Sequence, residues 1–203
     1  MNRWIFAAVA VAVMAGPLAS QDVHLGLGVD IGVPTGDFSS SYAGAYSQSY
    51  NTNLGVRLTA SFPVDRNLAF RASLGGSTFT GTAGFPDGSS ENLQDDMFTL
   101  GGEAQFFLGN GNALRHVGTY LVGGAELDFE RFSASISDPT YFPDSVANRS
   151  RLALVAGIGH SFRYYGRGRW TLEAAYHKTV TDVNTMNGFP PADYVRLSVG
   201  MVF

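Results

Sequence analysis

Apolar and polar residues alternate with a period of two along much of the chain, most clearly between residues 194 and 203. Strand side chains point alternately to opposite faces. One face of this segment therefore holds Val195, Leu197, Val199, Met201 and Phe203, and the other holds Tyr194, Arg196, Ser198 and Gly200. The first face is wholly apolar and ends on an aromatic ring. This pattern is typical of a strand that faces lipid in a membrane barrel.

Seven earlier segments alternate in the same way, so the chain predicts eight strands. The segments are 22–33, 53–62, 68–80, 96–108, 117–132, 151–162, 169–180 and the terminal 194–203. The links at 63–67, 109–116 and 163–168 are short, and those at 34–52, 81–95, 133–150 and 181–193 are longer. Short periplasmic turns alternating with long outer loops characterise even-stranded outer-membrane barrels. The pattern predicts an all-β fold, an eight-stranded antiparallel up-and-down transmembrane β-barrel.

A secreted, lipocalin-like barrel would also alternate, but with its apolar face turned inward and its polar face in water. The polar face of these segments is rich in Gly and Ser, which suits a narrow interior. Lys178 is the only lysine in the chain, whereas a water-facing strand surface usually carries several. Both observations favour the lipid-facing barrel.

The amino-terminal residues predict a secretory signal peptide at 1–20, followed by one barrel domain at 21–203. Arg3 supplies a positive charge, an apolar run follows from Ile5 to Met14, and small residues precede Ser20. We expect cleavage after Ser20 or after Ala19. The apolar run is shorter than the roughly 20 residues that a membrane-spanning helix needs.

Composition narrows the classes of function. Charged residues make up 15% of the chain and the formal net charge is −4, which argues against nucleic acid as a partner. The chain has no Cys, so neither a disulfide nor a lipoprotein signal is expected. Aromatic residues near the strand ends predict two interfacial girdles, with Phe62, Phe106, Trp170 and Phe203 at the inner end and Phe129, Phe132, Tyr176 and Tyr194 at the outer end.

Three stretches carry a resemblance to a known family: Gly-Val-Pro-Thr-Gly-Asp-Phe at 32–38, Phe-Pro-Val-Asp-Arg-Asn-Leu at 62–68, and the last eight residues. The chain resembles the small eight-stranded outer-membrane barrels of the OmpA, OmpX and OmpW kind. This resemblance implies a bacterial outer-membrane location. It also implies a carboxyl-terminal insertion signal formed by Tyr194, Val199, Met201 and Phe203. The partners to expect are outer-membrane lipid, lipopolysaccharide, periplasmic chaperones and the insertion machinery, with the protein itself a monomer.

Eight charged residues fall on the inward faces of the predicted strands, four of each sign: Asp30, Arg57, Arg71, Glu103, Glu126, Arg151, Glu173 and Arg196. Each outer hairpin carries one acid and one base, and an unpaired buried charge costs several kcal/mol. We therefore expect a neutral, hydrogen-bonded plug with no continuous pore, because an eight-stranded barrel is barely wide enough for its own side chains. Glu103 should be shared by Arg57 and Arg71. The alternative is that charges near the rims are merely hydrated, as expected for Arg151 and Asp30.

Catalytic and metal-binding patterns are weak in this sequence. Tyr176-His177-Lys178-Thr179 resembles the His-x-Ser motif of outer-membrane lipid A deacylases, but Thr replaces Ser and His177 is predicted to point inward. The acidic residues of the predicted loops lack the spacing of a calcium loop and are expected to be solvated; they are Asp87, Glu91, Asp95, Asp138 and Asp144. We expect no enzymatic activity, no cofactor and no metal.

The favoured function is that of an integral envelope protein with a structural role and surface contacts through its outer loops. The segment 39–50 is rich in Ser and Tyr, which suits adaptable surface recognition and suits an exposed mobile loop equally well. One alternative is a passive channel for small hydrophobic solutes. A second is a lipid-modifying enzyme. The sequence names no surface ligand.

Overall fold

The computed structural model describes residues 23–36, 47–84, 90–136, 145–163, 168–182 and 192–203. The strands are β1 (His24–Pro34), β2 (Ser47–Tyr50), β3 (Asn53–Pro63), β4 (Leu68–Gly84), β5 (Ser90–Phe107), β6 (Gly118–Ile136), β7 (Ser145–Arg163), β8 (Arg169–Asp182) and β9 (Tyr194–Val202). A 3₁₀ turn at Ala113–Arg115 lies between β5 and β6. Within these ranges, no helix has the length and hydropathy to cross a membrane. The predicted signal peptide lies outside the described residues.

The strands form one closed antiparallel sheet. Each strand from β3 to β8 pairs with the next along the chain, β1 pairs with β3, and β9 pairs with β1 to close the ring. Both β2 and β3 pair with β4, end to end along it, so they share one position in the wall. The predicted eight-stranded antiparallel barrel is confirmed. In the lipid-facing part of the described ring each strand is paired on both sides, which a lipid environment requires.

The outer surface is apolar and the interior is charged. Val29 lies opposite both Val56 and Val199 in the register, and these three side chains are 50%, 59% and 47% exposed. Glu126, in the middle of β6, is fully buried. A water-soluble barrel would show the reverse arrangement, so the lipocalin-like alternative is excluded. The apolar belt is the lipid-facing surface of a transmembrane barrel.

Several strands extend further toward the long-loop end than the alternation predicted. We call this the upper end of the barrel and the short-turn end the lower end. Residues 81–84, 90–95, 133–136 and 145–150 belong to β4, β5, β6 and β7, and β2 lies within the predicted first loop. Beyond the lipid the two faces of a strand need not differ in polarity. The hydrogen-bond ladder therefore continues where the sequence signal stops.

The girdle prediction is wrong for two residues at the upper end. Phe129 and Tyr176 lie on the outer surface, each 42% exposed, whereas Phe132 and Tyr194 are buried inside the barrel. Phe132 is three residues from Phe129, an odd separation that puts it on the opposite face of the same strand. Tyr194 is two residues from the buried Arg196, an even separation that puts both on the same inward face. At the lower end, Phe106 and Phe203 are exposed, and Phe62 and Trp170 are half-buried.

Replacing Leu58 by Arg tests the lipid-facing surface. Leu58 is 55% exposed in the middle of β3, and a charged residue there must enter the hydrocarbon layer. We expect the Leu58→Arg variant to lose about 2–4 kcal/mol of unfolding free energy in lipid vesicles, measured by urea titration. Leu114→Arg is the matched control, because Leu114 is 50% exposed in the 3₁₀ turn. Equal losses in the two variants would contradict the assigned lipid-facing belt.

Candidate functional site in the barrel interior

Seven charged residues meet across the lower and middle lumen, and we call them the lower network: Asp30, Arg57, Arg71, Glu103, Glu126, Glu173 and Arg196. All seven are at most 8% exposed. Each alternates with outward-facing apolar neighbours along its strand, so the pattern that turns leucine and valine to lipid turns these groups inward. Seven of the eight wall positions contribute a side chain, β7 being the exception.

Glu126 joins the two sides of the lower network. Its Oε1 accepts hydrogen bonds from Arg57 Nη1 at 2.8 Å and from Arg196 Nη1 at 2.7 Å. Arg57 also donates from Nε to Asp30 Oδ2 at 2.7 Å. These contacts connect β1, β3, β6 and β9 through the lumen, so opposite walls of the barrel are tied together.

Arg71 anchors the other half of the lower network. Its guanidinium donates two parallel hydrogen bonds to Glu173, Nη1 to Oε2 at 2.7 Å and Nη2 to Oε1 at 2.8 Å. It also pairs with Glu103, the residue opposite it in the β4–β5 register. Arg196 Nη2 reaches Glu103 Oε1 at 3.3 Å, and the Tyr120 hydroxyl donates to Glu173 at 3.0 Å. Bidentate arginine–carboxylate pairs fix geometry more strongly than single contacts do.

The structure brings seven of the eight sequence-predicted interior charges into this network. Glu103 contacts Arg71 and lies 4.0 Å from Arg57 Nη1. The expectation that Asp30 and Arg151 are hydrated at the rims is wrong, because Asp30 is 7% exposed and paired, and Arg151 is fully buried. Arg151 lies opposite Asp128 in the register. Asp128 is the next inward-facing residue of β6 above Glu126. The Arg151 Nε is 3.5 Å from Glu130.

A second set of buried charges, the upper network, lies above the first: Asp95, Asp128, Glu130, Arg149, Arg151 and His177. Arg149 Nη2 lies 3.3 Å from Asp95 Oδ2 and 3.1 Å from Glu130 Oε2. Asp95 was expected to be a solvated loop acid, but it lies in β5 and is fully buried. Extending the period-two alternation from Glu103 to Asp95, and from Arg151 to Arg149, would have shown that Asp95 and Arg149 point inward. Glu91 also lies in β5, and Asp87, Asp138 and Asp144 lie outside the described residues.

Apolar side chains fill the lumen beside and above the upper network. This apolar cap consists of Tyr50, Phe79, Ala83, Leu93, Met97, Phe132, Ala192 and Tyr194. Tyr194 stacks on the His177 ring, with centroids 4.4 Å apart, and packs against Phe79 at 5.3 Å. The cap removes water from the upper side of His177, so polar groups around this ring must find partners within the protein.

The lower end of the lumen is closed by the β5–β6 connection. His116, which follows the 3₁₀ turn, is 2% exposed and packs edge-on against Phe107. Its Nδ1 lies 3.2 Å from Ser161 Oγ, and Ser161 donates to the His116 carbonyl at 2.6 Å. Burial, reinforced by the charges of His24, Arg71 and Arg169, lowers the pKa of His116 to about 3. His116 is therefore neutral at physiological pH.

One cavity of about 40 Å³ lies between His116 and the lower network, lined by Asp30, Arg57, Arg71 and Glu173 among others. This volume holds roughly two or three water molecules. Above it, paired side chains bridge the lumen. The described residues thus form a filled interior rather than an open channel.

The geometry at His177 does not resemble that of a nucleophile and its base. Its Nδ1 lies 3.1 Å from Ala192 O, and Nε2 lies 2.9 Å from Asp128 Oδ2. The Thr179 hydroxyl donates to the same Ala192 carbonyl, at 3.3 Å, rather than to the ring. A hydroxyl nucleophile would have to hydrogen-bond the imidazole.

The predicted insertion-signal residues lie on both faces of β9. Val199 and Phe203 point outward, 47% and 62% exposed, and Met201 is half-buried. Tyr194 points inward and belongs to the apolar cap. The Phe203 amide donates to Leu25 O at 2.8 Å, so the last residue still takes part in the closing β1–β9 ladder.

A solved structure shares this architecture. The outer membrane protein OprG from Pseudomonas aeruginosa aligns with a TM-score of 0.57 at 12% identity, covering 90% of this chain and 94% of that one. The fold is that of a small outer-membrane β-barrel. Neisserial surface protein A aligns with a TM-score of 0.47 at 11% identity, covering 89% and 95% of the two chains. Ail, the attachment invasion locus protein of Yersinia pestis, gives 0.42 at 12%, covering 89% and 94%.

No family model matches the sequence, and no curated protein matches it either. At 12% identity the OprG structure shows the fold alone. The lipid-facing belt, which is this chain's own property, agrees with the predicted outer-membrane location.

Removing one carboxylate from the lower network should destabilise the barrel. We expect Glu103→Gln to lower the unfolding free energy by about 3–5 kcal/mol, because the arginines around it stay buried with less compensating charge. Urea titration in detergent micelles measures the change. Asp65→Asn is the control, since Asp65 is exposed in the β3–β4 turn, where an amide can still accept its backbone hydrogen bonds. An unchanged Glu103→Gln protein would contradict a stabilising network.

His116 should make the barrel less stable in mild acid. Its pKa is about 3 when folded, against an ordinary 6.5, so the unfolded chain binds an extra proton between these values. Stability should fall as the pH falls below 6.5. From pH 7 to pH 5 the fall attributable to His116 is about 2 kcal/mol. It should be absent in His116→Asn, which tolerates the positive φ of this residue. Unfolding free energies of both proteins at pH 7 and pH 5 check this, and parallel pH profiles would refute it.

Proposed function

We propose that this outer-membrane barrel is a closed, structural envelope protein that acts through the surface presented by its outer loops and conducts no solute through its lumen. The proposal rests on one observation, which is the filled interior. Two ion-pair networks and the apolar cap fill the described part of the lumen, and a cavity of about 40 Å³ lies beside the lower network.

The energetics of the interior support a structural role. Opening a water-filled path would require several buried arginine–carboxylate contacts to separate together, and breaking one buried pair costs about 3–5 kcal/mol. The cross-lumen contacts of Glu126 and Arg71 also hold opposite walls at a set distance. Such a barrel is a rigid support, and specific recognition then falls to the segments beyond the strands.

We further propose that the protein is a monomer without enzymatic activity, in contact with outer-membrane lipid and lipopolysaccharide through its apolar belt. In this proposal the insertion machinery and periplasmic chaperones recognise the apolar face of β9, with Val199 and Phe203 as its exposed members. The inward position of His177, away from lipid, speaks against a lipid-modifying activity.

Planar-bilayer recordings test the closed lumen. We expect the purified barrel to give no conductance steps, while a general porin in the same bilayer gives regular ones. Heat-modifiable migration on a detergent gel first confirms that the protein is folded. Regular steps from the folded barrel would overturn the proposal.

A passive path for small hydrophobic solutes is the second candidate, and the apolar cap favours it. A solute entering from above would meet the apolar side chains of Tyr50, Phe79 and Leu93 in the upper lumen, and would have to leave sideways through the wall. Uptake of a hydrophobic solute by vesicles carrying the barrel separates the two candidates. Uptake at the rate of protein-free vesicles supports the structural role, and faster uptake supports the path.

A further inference from the structure

We propose that the barrel interior binds one divalent transition-metal ion of the zinc type, held by His177 Nε2, Asp128 Oδ2 and Glu126 Oε2. The three residues come from two elements, β6 and β8, whose inward faces meet across β7 in the middle of the lumen. All three are fully buried.

The donor atoms are already close together. His177 Nε2 lies 2.9 Å from Asp128 Oδ2 and 3.6 Å from Glu126 Oε2, and the three ligand atoms lie within 4.8 Å of one another. In a tetrahedral zinc site with bonds of about 2.0–2.1 Å, ligand atoms are about 3.3 Å apart. Small side-chain rotations would therefore suffice to surround an ion. An imidazole nitrogen with two carboxylate oxygens is a donor set that zinc-type ions accept.

The same atoms lack hydrogen-bond partners. Asp128 Oδ1 and Glu126 Oε2 are buried with no hydrogen-bond partner, and Asp128 Oδ2 and His177 Nε2 have none besides each other. Glu126 is informative because its other oxygen, Oε1, accepts from two arginines. The carboxylate is thus held in place by one oxygen and presents the other to His177. Buried polar atoms without partners are uncommon, and a bound ion is one established reason for them.

The tautomer of His177 also supports a metal ion at Nε2. Its Nδ1 lies 3.1 Å from Ala192 O, and a carbonyl can only accept, so Nδ1 carries the proton. In the neutral ring Nε2 then presents a lone pair to two carboxylates, which is repulsive unless a cation lies between them. A histidine whose second nitrogen donates to a backbone carbonyl is the usual arrangement for a metal ligand.

The interior holds more acidic than basic side chains, which favours a bound cation. The two networks contain seven buried carboxylates, namely Asp30, Asp95, Glu103, Glu126, Asp128, Glu130 and Glu173, and five buried arginines, namely Arg57, Arg71, Arg149, Arg151 and Arg196. Asp193 is also buried but pairs with the half-exposed Lys178. The described interior therefore carries two more carboxylates than arginines. A divalent ion is one way to offset this excess of buried acidic groups, and protonation of a carboxyl group is the other.

The competing explanation is a protonated His177 that donates from Nε2 to Asp128. It supplies one positive charge rather than two and leaves Glu126 Oε2 without a partner. In both explanations Arg151 lies opposite Asp128 in the register and also contacts Glu130. The two explanations predict different metal contents and different protonation of Nε2, so one set of measurements distinguishes them.

The test uses the mature chain without an affinity tag, so that no added histidines bind metal. The protein is refolded from urea into detergent micelles with either Zn²⁺ or EDTA, and free metal is then removed. Refolding in the presence of the ion makes the result independent of an entry path through the closed lumen. We expect about one zinc per folded chain by elemental mass spectrometry. Co²⁺ in place of Zn²⁺ should give visible absorption bands typical of low-coordinate sites.

The variants His177→Gln and Asp128→Asn should each weaken Zn²⁺ binding by more than about 100-fold, beyond what loss of a second-shell partner costs. His160→Gln is the matched control, because His160 is exposed on the outer face of β7 and hydrogen-bonds Thr119. It should bind zinc as the parent does. Heat-modifiable migration verifies folding of each variant.

The parent protein alone also decides the question if the variants do not fold. Nitrogen NMR of His177 in the Zn²⁺-refolded barrel should show a metal-bound Nε2 and a protonated Nδ1. The proposal is overturned if the folded parent retains no zinc, if both ring nitrogens are protonated in the presence of Zn²⁺, or if folded His177→Gln binds zinc as tightly as the parent.

Discussion

The narrow lumen of an eight-stranded barrel is the constraint on which the rest of this structure depends. In lipid, every backbone polar group must be hydrogen-bonded within the protein, so the sheet must close on itself. Closure with eight strands leaves an interior only about as wide as the side chains that fill it. Any charge on an inward face is then within reach of the opposite wall and must be compensated there. Apolar residues are free to face outward, and in this chain they do so from β1 to β9.

Glu126 shows how closely this compensation is organised. One of its oxygens accepts from Arg57 and Arg196 on the far side of the lumen. The other faces His177 and stands next to Asp128. A single side chain thus links the lower network, in which every carboxylate contacts an arginine, to the upper network, in which Asp128 faces a histidine. The first region accounts for a rigid, closed barrel, and the second is the place where chemistry beyond structural support can arise.

The apolar cap gives these polar groups a dry environment. Tyr194 stacks on His177, and Phe79 and Phe132 close the lumen above. In low dielectric, satisfied ion pairs are strong and unsatisfied groups are costly. Sealing the upper lumen with aromatic rings therefore strengthens the lower network and raises the cost of leaving Asp128 and His177 without a ligand. Function at the cell surface and binding inside the barrel are separable in this architecture, because the cap lies between them.

Residue pattern alone determined the barrel class, the strand number and which face meets lipid, because period-two alternation is a local property that one strand displays by itself. It also placed Arg57, Arg71, Glu103 and Glu126 inside. Only the tertiary structure decided which charges meet. Shear offsets neighbouring strands, so Arg151 faces Asp128 and reaches Glu130, although its hairpin had suggested Glu126. Asp95 and Arg149 were missed because beyond the lipid the alternation fades while the ladder continues. The convergence of Glu126, Asp128 and His177 across an intervening strand has no signature in the sequence, since residues 126 and 177 become neighbours only when the ring closes.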